Sequence, residues 1–421
     1  MNEVDNSILS AFEDNDIERR FVADCNEVIH FKLVRSQDDI ESEEVEFQPE
    51  MSHQVFGKTE KIFGYNDLKI DMYYTAGWLR TYINISFKEK IDPSVIGLPA
   101  DNVIEILSKF LEHDYFENID LFVNSLKEES KFKPSGSLID SISVNENGCK
   151  NIYEVYHVHV SNTDNNFFEG YYQRLQRFLI WYIDGASFVD VDDDRWNYFI
   201  MYEKYTTKEN ESAYAVTGLT TVYEYYAYPN NKRPRISQML ILPPFQNQGL
   251  AVHLMNSMYK FYSTDKNVID ITVEDPTDGC QAIRDFIDLC RCENLPCFSN
   301  ENLKKGYKKE IENELREKFQ IHKKQARRIY EILLLRTINK ANEEEYKNYR
   351  IQVKNRLNAP FQKMNSTMRR MNYTFKPDEV KEVAVLQKPE VRFNTLKNLY
   401  DELEKQYEHV LERFENRAVS V

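Results

Sequence analysis

The segment Arg235-Ile-Ser-Gln-Met-Leu-Ile-Leu-Pro-Pro-Phe-Gln-Asn-Gln-Gly-Leu-Ala251 decides how this chain of 421 residues folds. Its first half has a strand pattern, and two prolines then lead through a Gln-x-x-Gly-x-Ala turn into a helix. A second strand pattern, Val268-Ile-Asp-Ile-Thr-Val-Glu-Asp-Pro276, follows the helix and ends in two carboxylates. This order suits a protein that holds a pyrophosphate-containing cofactor and removes a proton beside it.

The turn before the helix has the chemistry of a phosphate loop. A helix that begins there leaves backbone N–H groups without acceptors, and such donors bind phosphate. Gly249 has no Cβ, so the backbone can approach a ligand closely, and the small Ala251 keeps the first helical turn open. Taken alone, the string is equally typical of an ordinary helix cap.

The surroundings favour the phosphate loop over the ordinary cap. Leu250, Leu254, Met258 and Phe261 form an apolar stripe that would pack the helix back onto a sheet. The pair Pro243-Pro244 removes ladder donors and forces neighbouring strands apart. A splayed pair of strands would receive the pantetheine arm of coenzyme A, which pairs with strand backbone as an added strand does.

Glu274 and Asp275 end the second strand, where a carboxylate would lie near the reactive end of the cofactor. If the acceptor is a lysine, its ammonium group has a pKa of ~10.4, its deprotonation at neutral pH costs roughly 4.6 kcal/mol, and a nearby base removes most of that cost. We therefore predict that Glu274 is a general base. The alternative is that this acidic pair caps the next helix, a role that Asp278 would serve equally well.

Composition limits the class of protein and of partner. A hydrophobic content of 42% and an aromatic content of 13% are typical of a folded chain, because disordered chains lack such area. The formal charge of −15 argues against direct nucleic-acid binding and favours a cationic partner. The alternative is that the acidity serves only solubility.

The cysteines and the apolar runs indicate a reducing compartment and no membrane span. The six cysteines do not have the spacing of a disulfide framework, and the sequence shows no signal peptide. We therefore expect them to be free thiols. Cys290, Cys292 and Cys297 lack a CxxC pair and a nearby histidine, so no metal site is predicted. No apolar run approaches the ~20 residues that a membrane helix requires.

The chain is predicted to be an α+β protein of three domains. Residues 1–140 form a mixed α/β domain with strands at 28–34, 68–74 and 81–87, and a helix that Asp101 caps. The polar segment 131–147 is the expected boundary. Residues 141–300 form a central core of antiparallel strands, loop, helix and strand. Residues 301–421 are rich in Lys, Glu, Arg and Leu, which predicts a helical domain.

A seam of large side chains near the end of the chain has the three-four spacing of a packed helix. We expect this helix to dock on its own chain rather than on a partner. Its members are Leu396, Leu399, Leu403, Tyr407, Val410 and Phe414.

Several further stretches resemble one enzyme family. The loop and strands are similar to the acetyl-CoA site of the GCN5-related N-acetyltransferase (GNAT) superfamily, which has a splayed mixed sheet. The rest resembles the catalytic subunits of type B histone acetyltransferases. The matching stretches are His53-Gln-Val-Phe-Gly57, Phe63-Gly-Tyr65, Ala186-Ser-Phe-Val-Asp-Val-Asp-Asp-Asp-Arg-Trp196, Glu203-Lys-Tyr205, Thr221-Val-Tyr223, Arg233-Pro-Arg-Ile-Ser-Gln-Met-Leu-Ile-Leu242, Glu274-Asp-Pro276 and Ala326-Arg-Arg-Ile-Tyr-Glu-Ile-Leu333.

The resemblance assigns roles to residues in three groups. The residues expected to bind acetyl-CoA are Met239, Leu240, Ile241, Gln246, Asn247, Gln248, Gly249, Leu250, Ala251 and Val252. The expected general base is Glu274, with Asp275 and Asp184 as further acids of the active site. The residues expected to bind the histone tail, in the N-terminal domain and the core, are Glu60, Trp196, Tyr223, Glu224 and Tyr225. Without the resemblance, Trp196 and Tyr223 would be read as ordinary core and strand residues.

The implied activity is acetyl transfer from acetyl-CoA to lysines in the tail of newly synthesised histone H4, in a ternary complex and without a metal. The resemblance further implies a WD-repeat histone chaperone as partner and a cytoplasmic and nuclear location, whereas the charge and the short apolar runs predict no direct contact to nucleic acid or membrane. Two alternatives remain, a polyamine-type N-acetyltransferase for small amines and a non-catalytic histone chaperone subunit. The chain departs from the family pattern in its glycine-poor loop and in Lys58 and Thr59 beside Glu60.

Overall fold

The computed structural model describes residues 20–146, 149–159, 161, 165–371 and 389–417. The chain divides into two compact units. The first unit combines the chain up to Tyr225 with the segment Pro234–Tyr262. The second unit combines the segment Tyr226–Arg233 with the chain from Ser263 onward. The mixture of helices and strands confirms the predicted α+β class, whereas the three predicted domain ranges stay a prediction.

The N-terminal part of the first unit is built on a small sheet. Across this sheet the strands lie in the order Glu46–Phe47, Ile29–Val34, Lys69–Thr75 and Thr81–Ser86, and the central pair is parallel. The strands are β1 Val22–Asp24, β2 Ile29–Val34, β3 Glu46–Phe47, β4 Lys61–Phe63, β5 Tyr65–Asn66, β6 Lys69–Thr75, β7 Thr81–Ser86 and β8 Glu89–Lys90. The helices are α1 Cys25–Val28, α2 Gln37–Glu41, α3 His53–Phe56, α4 Pro93–Ile96, α5 Val103–Phe110 and α6 Ile119–Leu126, followed by a 3₁₀ turn at Glu129–Lys131.

The rest of the first unit is a large sheet with helices. Its strands are β9 Ser137–Glu146, β10 Cys149–His159, β11 Trp196–Thr206, β12 Ser212–Ala227 and β13 Asn231–Ile241, which lie side by side in that order. The helices are α7 Asn165–Gln176, α8 Leu179–Tyr182 and α9 Leu250–Ser263, and a 3₁₀ turn spans Pro243–Phe245. The core is rich in buried aromatic side chains, among them Trp181, Tyr172, Tyr198 and Tyr202.

The second unit is mainly helical. It contains the short strand β14 Thr272–Val273, the 3₁₀ turn Pro296–Phe298, and the helices α10 Asp278–Cys292, α11 Asn300–Leu303, α12 Lys309–Phe319, α13 Lys323–Thr337, α14 Glu343–Met371 and α15 Pro389–Asn416. The predicted seam lies on α15, and Tyr407, Val410 and Phe414 are buried in the core of this unit, which confirms docking on the same chain. Leu399 is exposed, and the adjacent Tyr400 takes the buried position.

Two local predictions were wrong. Asn102, not Asp101, caps α5, because the Asp101 carboxylate accepts a hydrogen bond from the Phe63 backbone at 2.7 Å. The polar segment 131–147 contains the strand β9, an outer strand of the sheet, which accounts for its polar composition, and the domain boundary expected there stays a prediction.

The second error is the strand predicted at 268–273, which is continuous only at β14. Here the chain changes partners: the Ile269 amide donates to the Lys232 carbonyl, and the Ile271 amide donates to the Gln320 carbonyl.

Among the described residues, no helix is both long and apolar enough to cross a membrane.

Candidate active site

The segment predicted as a phosphate loop lies between the strand β13 and the helix α9. Asn247 and Gly249 both have left-handed backbone, with φ of 62° and 78°. This conformation favours glycine, and asparagine tolerates it better than most other residues. The Gly249 carbonyl accepts hydrogen bonds from the amides of Val252 and His253 at 3.0 and 3.2 Å, which fixes the first turn of the helix.

Four consecutive amides of this loop are available to a ligand. In the described part of the chain, the N–H groups of Gln248, Gly249, Leu250 and Ala251 donate to no protein acceptor. A Cβ placed on Gly249 would meet no protein atom within 4 Å, so the space in front of the loop is open. These residues therefore fit a pyrophosphate group, which needs close backbone donors at a helix N-terminus.

The loop is anchored by two side-chain hydrogen bonds that the sequence does not predict. The Tyr153 hydroxyl on β10 donates a 3.0 Å hydrogen bond to Gln248 Oε1. Gln246 Nε2 donates to the Ile241 carbonyl at 2.9 Å, which ties the loop back to the end of β13. The alternation of β10 indicates that Tyr153 belongs to one sheet face, but no local signal shows its contact with the loop.

A β-bulge in β12 lies beside the end of β13. Met201 pairs with Gly218, whereas the next residue of β11 pairs with Val216, so Thr217 is an extra residue in the ladder. The Leu242 amide donates to the Thr217 carbonyl at 2.9 Å. Gly218 allows a close approach, because a Cβ at that position would lie 2.6 Å from the carbonyl oxygen of Leu240. Leu240 and Ile241 are buried and Met239 is half-buried.

The structure brings the predicted aromatic tail-binding residues together. Trp196 on β11 and Tyr223 on β12 are direct cross-strand partners, and their ring centroids are 4.9 Å apart. Tyr225 continues the cluster, 4.7 Å from Tyr223, and is exposed. The backbone amide of the half-buried Glu224 donates to the Arg195 carbonyl. A part-exposed aromatic cluster is therefore present on this edge of the strands.

An acidic turn supports this aromatic cluster. Arg195 donates two hydrogen bonds of 2.9 Å to Asp193, and Tyr223 donates its hydroxyl to the same carboxylate at 3.1 Å. These donors, Arg195 first, lower the pKa of Asp193 to about 2, so it stays ionised at neutral pH. The Arg195 guanidinium also lies over the Tyr223 ring, 4.8 Å from its centroid. The face of this ring thus already accepts a cation.

Glu60 and Asp184 are linked through a histidine. His53 Nε2 lies 3.1 Å from the exposed Asp184 carboxylate, and His53 Nδ1 lies 3.5 Å from Glu60. Glu60 also accepts hydrogen bonds from the amides of Ser52 and His53 at 2.6 and 3.0 Å. The Ser52 amide is the main cause of the lowered pKa of Glu60. Glu60 therefore holds the start of α3, and its binding to the histone tail stays a prediction.

Glu274 and Asp275 lie in the second unit, directly after β14. Glu274 is half-buried, whereas Asp275 is exposed and has a φ of 30°, an uncommon conformation for a residue other than glycine. Neither residue caps the following helix, because Thr277 accepts the hydrogen bond from the Cys280 amide. The alternative in which this acidic pair, or Asp278, is the helix cap is therefore wrong.

The described ranges contain no group of three or more His, Cys, Asp or Glu side chains that could hold a metal ion. The cysteines whose side chains the structure describes are free: Cys25, Cys280, Cys290, Cys292 and Cys297. Burial raises the thiol pKa of the three clustered cysteines, Cys290, Cys292 and Cys297.

Comparison with known proteins gives family matches in the N-terminal and the C-terminal half of the chain. Residues 21–184 match the family model described as histone acetyl transferase HAT1 N-terminus. Residues 284–335 match the model described as histone acetyltransferase type B catalytic subunit, C-terminal.

Whole-chain comparisons agree with these matches. The histone acetyltransferase type B catalytic subunit of Homo sapiens is 37% identical over 394 residues, which cover 93% of each chain. That of Cryptococcus neoformans is 30% identical over 374 residues, covering 80% of this chain and 89% of the relative.

Among solved structures, an aminoglycoside acetyltransferase from an uncultured soil metagenomic sample matches 34% of this chain and 88% of its own, with 16% identity and a TM-score of 0.23. A TM-score this low supports no conclusion, so the assignment depends on the sequence relatives. The chain belongs to the histone acetyltransferase type B catalytic subunits, a family of acetyltransferase enzymes.

Proposed function

We propose that the protein transfers the acetyl group of acetyl-CoA to lysine side chains in the N-terminal tail of newly synthesised histone H4. The observation that carries the proposal is the loop at residues 248–251, whose amides have no protein acceptor in the described chain. The chain that contains this loop belongs to a family of histone acetyltransferases. A type B subunit needs such a loop to hold the pyrophosphate of its acetyl donor.

Acetyl-CoA supplies the acetyl group as an activated thioester. Residues 246–252 hold its pyrophosphate, and the backbone of Met239, Leu240 and Ile241 pairs with its pantetheine arm. The bulge at Thr217 supports this assignment, because an extra residue in β12 disturbs the ladder next to the end of β13.

The histone tail binds through its positive charge and its aliphatic lysine stems. Trp196, Tyr223 and Tyr225 offer part-exposed rings, and rings attract lysine ammonium groups. The carboxylates of Asp192 and Asp194 are exposed beside this cluster, and with Glu60 and Glu224 they would make the groove anionic. The overall charge of −15 supports the same choice of a cationic substrate.

Glu274 acts as the general base in a direct transfer. It accepts the proton that the lysine amine loses as the amine attacks the thioester carbonyl, either directly or through one water. The lysine ammonium loses two protons in all: Glu274 accepts one, and the leaving sulfur takes the other as the new N–C bond replaces the C–S bond, so coenzyme A leaves as the thiol. A backbone N–H near Met239 or Leu240 stabilises the negative charge on the carbonyl oxygen. Asp275 and Asp184 are further acids of the site and have no assigned proton transfer.

The test of this base is the variant Glu274→Gln, which keeps the size of the side chain and cannot accept the proton. We expect kcat on an H4 tail peptide to fall by at least about 100-fold, the contribution typical of general base catalysis. Acetyl-CoA affinity, measured by calorimetry, should stay within about twofold of the wild-type value. Asp275→Asn is the matched control and should lose less activity. Near-normal turnover of Glu274→Gln would sink this assignment.

The partner and the location belong to the same proposal. We propose that a WD-repeat histone chaperone presents the histone, and that the enzyme acts in the cytoplasm and the nucleus without direct contact to nucleic acid. The support is family membership together with the acidic composition.

A further inference from the structure

Arg35 follows the last residue of β2 and reaches from the N-terminal sheet to the large sheet of the first unit. Its guanidinium donates two hydrogen bonds to Glu203 on β11, with Nη2–Oε2 and Nη1–Oε1 distances of 2.6 and 3.3 Å. The Glu203 side chain is only 9% exposed. A paired contact of this kind fixes the plane of the guanidinium as well as its position.

The same guanidinium lies against two aromatic rings. Arg35 Cζ is 5.0 Å from the ring centroid of Tyr205 and 5.9 Å from that of Phe245. Phe245 is buried, and it is the last residue of the 3₁₀ turn Pro243–Phe245, immediately before Gln246 of the phosphate loop. A single cation thus joins the N-terminal sheet, β11 and the entry to the phosphate loop.

Arg35 is itself held at its backbone. The Asp39 carboxylate in α2 accepts hydrogen bonds from the amides of Arg35 and Ser36 at 2.7 and 2.9 Å. The side chain therefore starts from a fixed point and ends on a fixed carboxylate. Phe245 gains a rigid neighbour from this arrangement, because both ends of the arginine are held.

We propose that Arg35 is a positioning residue that holds Phe245, and through it the phosphate loop, in the shape that binds acetyl-CoA. It touches neither substrate and acts only through the ring of Phe245. This inference rests on the proposed function, since it assumes that the loop binds acetyl-CoA. It makes cofactor affinity depend on a residue of the N-terminal sheet.

The variant Arg35→Lys tests this role, because lysine keeps the charge but has neither the paired donors nor the flat face of arginine. We expect the Kd and the KM for acetyl-CoA to rise about threefold to tenfold, the equivalent of losing an interaction of this strength. The kcat at saturating acetyl-CoA and the KM for the H4 peptide should stay unchanged. A merely structural role would instead lower stability and affect both substrates.

A double-mutant cycle with Phe245→Leu tests whether Arg35 acts through the ring. Leucine keeps a buried apolar side chain and removes the face that the guanidinium contacts. We expect the Kd of the double variant for acetyl-CoA to be no higher than the higher of the two Kd values of the single variants, Arg35→Lys and Phe245→Leu. Effects on Kd that multiply would overturn the proposal, because Arg35 would then act by another route.

Lys208→Ala is the matched control. Lys208 forms an ion pair with Asp38, and both side chains are more than two-thirds exposed, at 68% and 74%. This pair links α2, beside the N-terminal sheet, to the turn that follows β11 of the large sheet. It lies outside the phosphate loop, so acetyl-CoA affinity should not change. If the wild-type chain binds no acetyl-CoA, the proposed function fails. If it binds and Arg35→Lys binds equally well, only the role of Arg35 fails.

Discussion

Gly249 combines a left-handed backbone with open space where a Cβ would stand. In Gly249→Ala the new methyl group meets no protein atom, so the cost comes from the backbone conformation, about 1 kcal/mol of unfolding free energy. Under the proposed function the methyl group also projects into the space that the acetyl-CoA phosphates would occupy, and we expect acetyl-CoA binding to weaken at least about tenfold. Chemical denaturation and calorimetry measure the two effects.

Gly279→Ala is the control for this prediction. Gly279 also has open space around a new Cβ, but it lies in the first turn of α10, where alanine is the better helix former. The unfolding free energy of Gly279→Ala should equal that of the wild type or be slightly higher, and its acetyl-CoA affinity should not change. If both variants bind acetyl-CoA as the wild type does, the loop is not the phosphate site.

Residue by residue, the sequence predicts local chemistry and misses distant contacts. The left-handed Asn247 and Gly249 are predictable because backbone conformation depends on the residue itself. Tyr153 and Arg35 were not identified, because their partners lie 95 and 168 positions away along the chain. Glu60 was assigned to substrate by resemblance, whereas its bonds to the amides of α3 depend on tertiary structure.

At the scale of elements, periodic patterns predict strands and helices where one partner is kept throughout. The strands predicted at 68–74 and 81–87 agree with β6 and β7 to within a residue at each end. The strand predicted at 268–273 is shorter, because its backbone pairs first with Lys232 and then with Gln320. A polar outer strand such as β9 lacks the apolar alternation that identifies a strand.

The helices of the second unit are joined by a buried charge cluster that can be tested directly. Glu331 on α13 is fully buried and accepts hydrogen bonds from Arg327, Arg356 and Tyr407, which lie on three helices. Glu331→Ala leaves the two guanidinium groups without their carboxylate. We expect a loss of about 3 kcal/mol in unfolding free energy, measured by chemical denaturation.

An exposed ion pair of the same unit provides the comparison. Arg336 and Glu415 lie 3.5 Å apart with side chains 41% and 57% exposed. Glu415→Ala should cost less than about 1 kcal/mol, because water screens such pairs. Equal losses for Glu331→Ala and Glu415→Ala would mean that the buried cluster does not stabilise the helices.

At the scale of the whole molecule, family membership rests on similarity along 93% of the chain, whereas the acceptor is argued from charge and aromatic surface. The resemblance of many short motifs in order already indicated this family, which the comparisons confirm. Composition alone predicts a cationic partner and no more, because charge does not distinguish a histone tail from a polyamine.

The most direct test of the central claim is mass-spectrometric mapping of acetylated sites after the full chain reacts with acetyl-CoA and free core histones. Nucleosomes and spermidine serve as parallel acceptors at matched concentrations. We expect acetylated lysines in the N-terminal tail of free H4, with slower reaction on nucleosomes and on spermidine. Acetylation found only on nucleosomes, or spermidine acetylated while free H4 stays unmodified, would contradict the account.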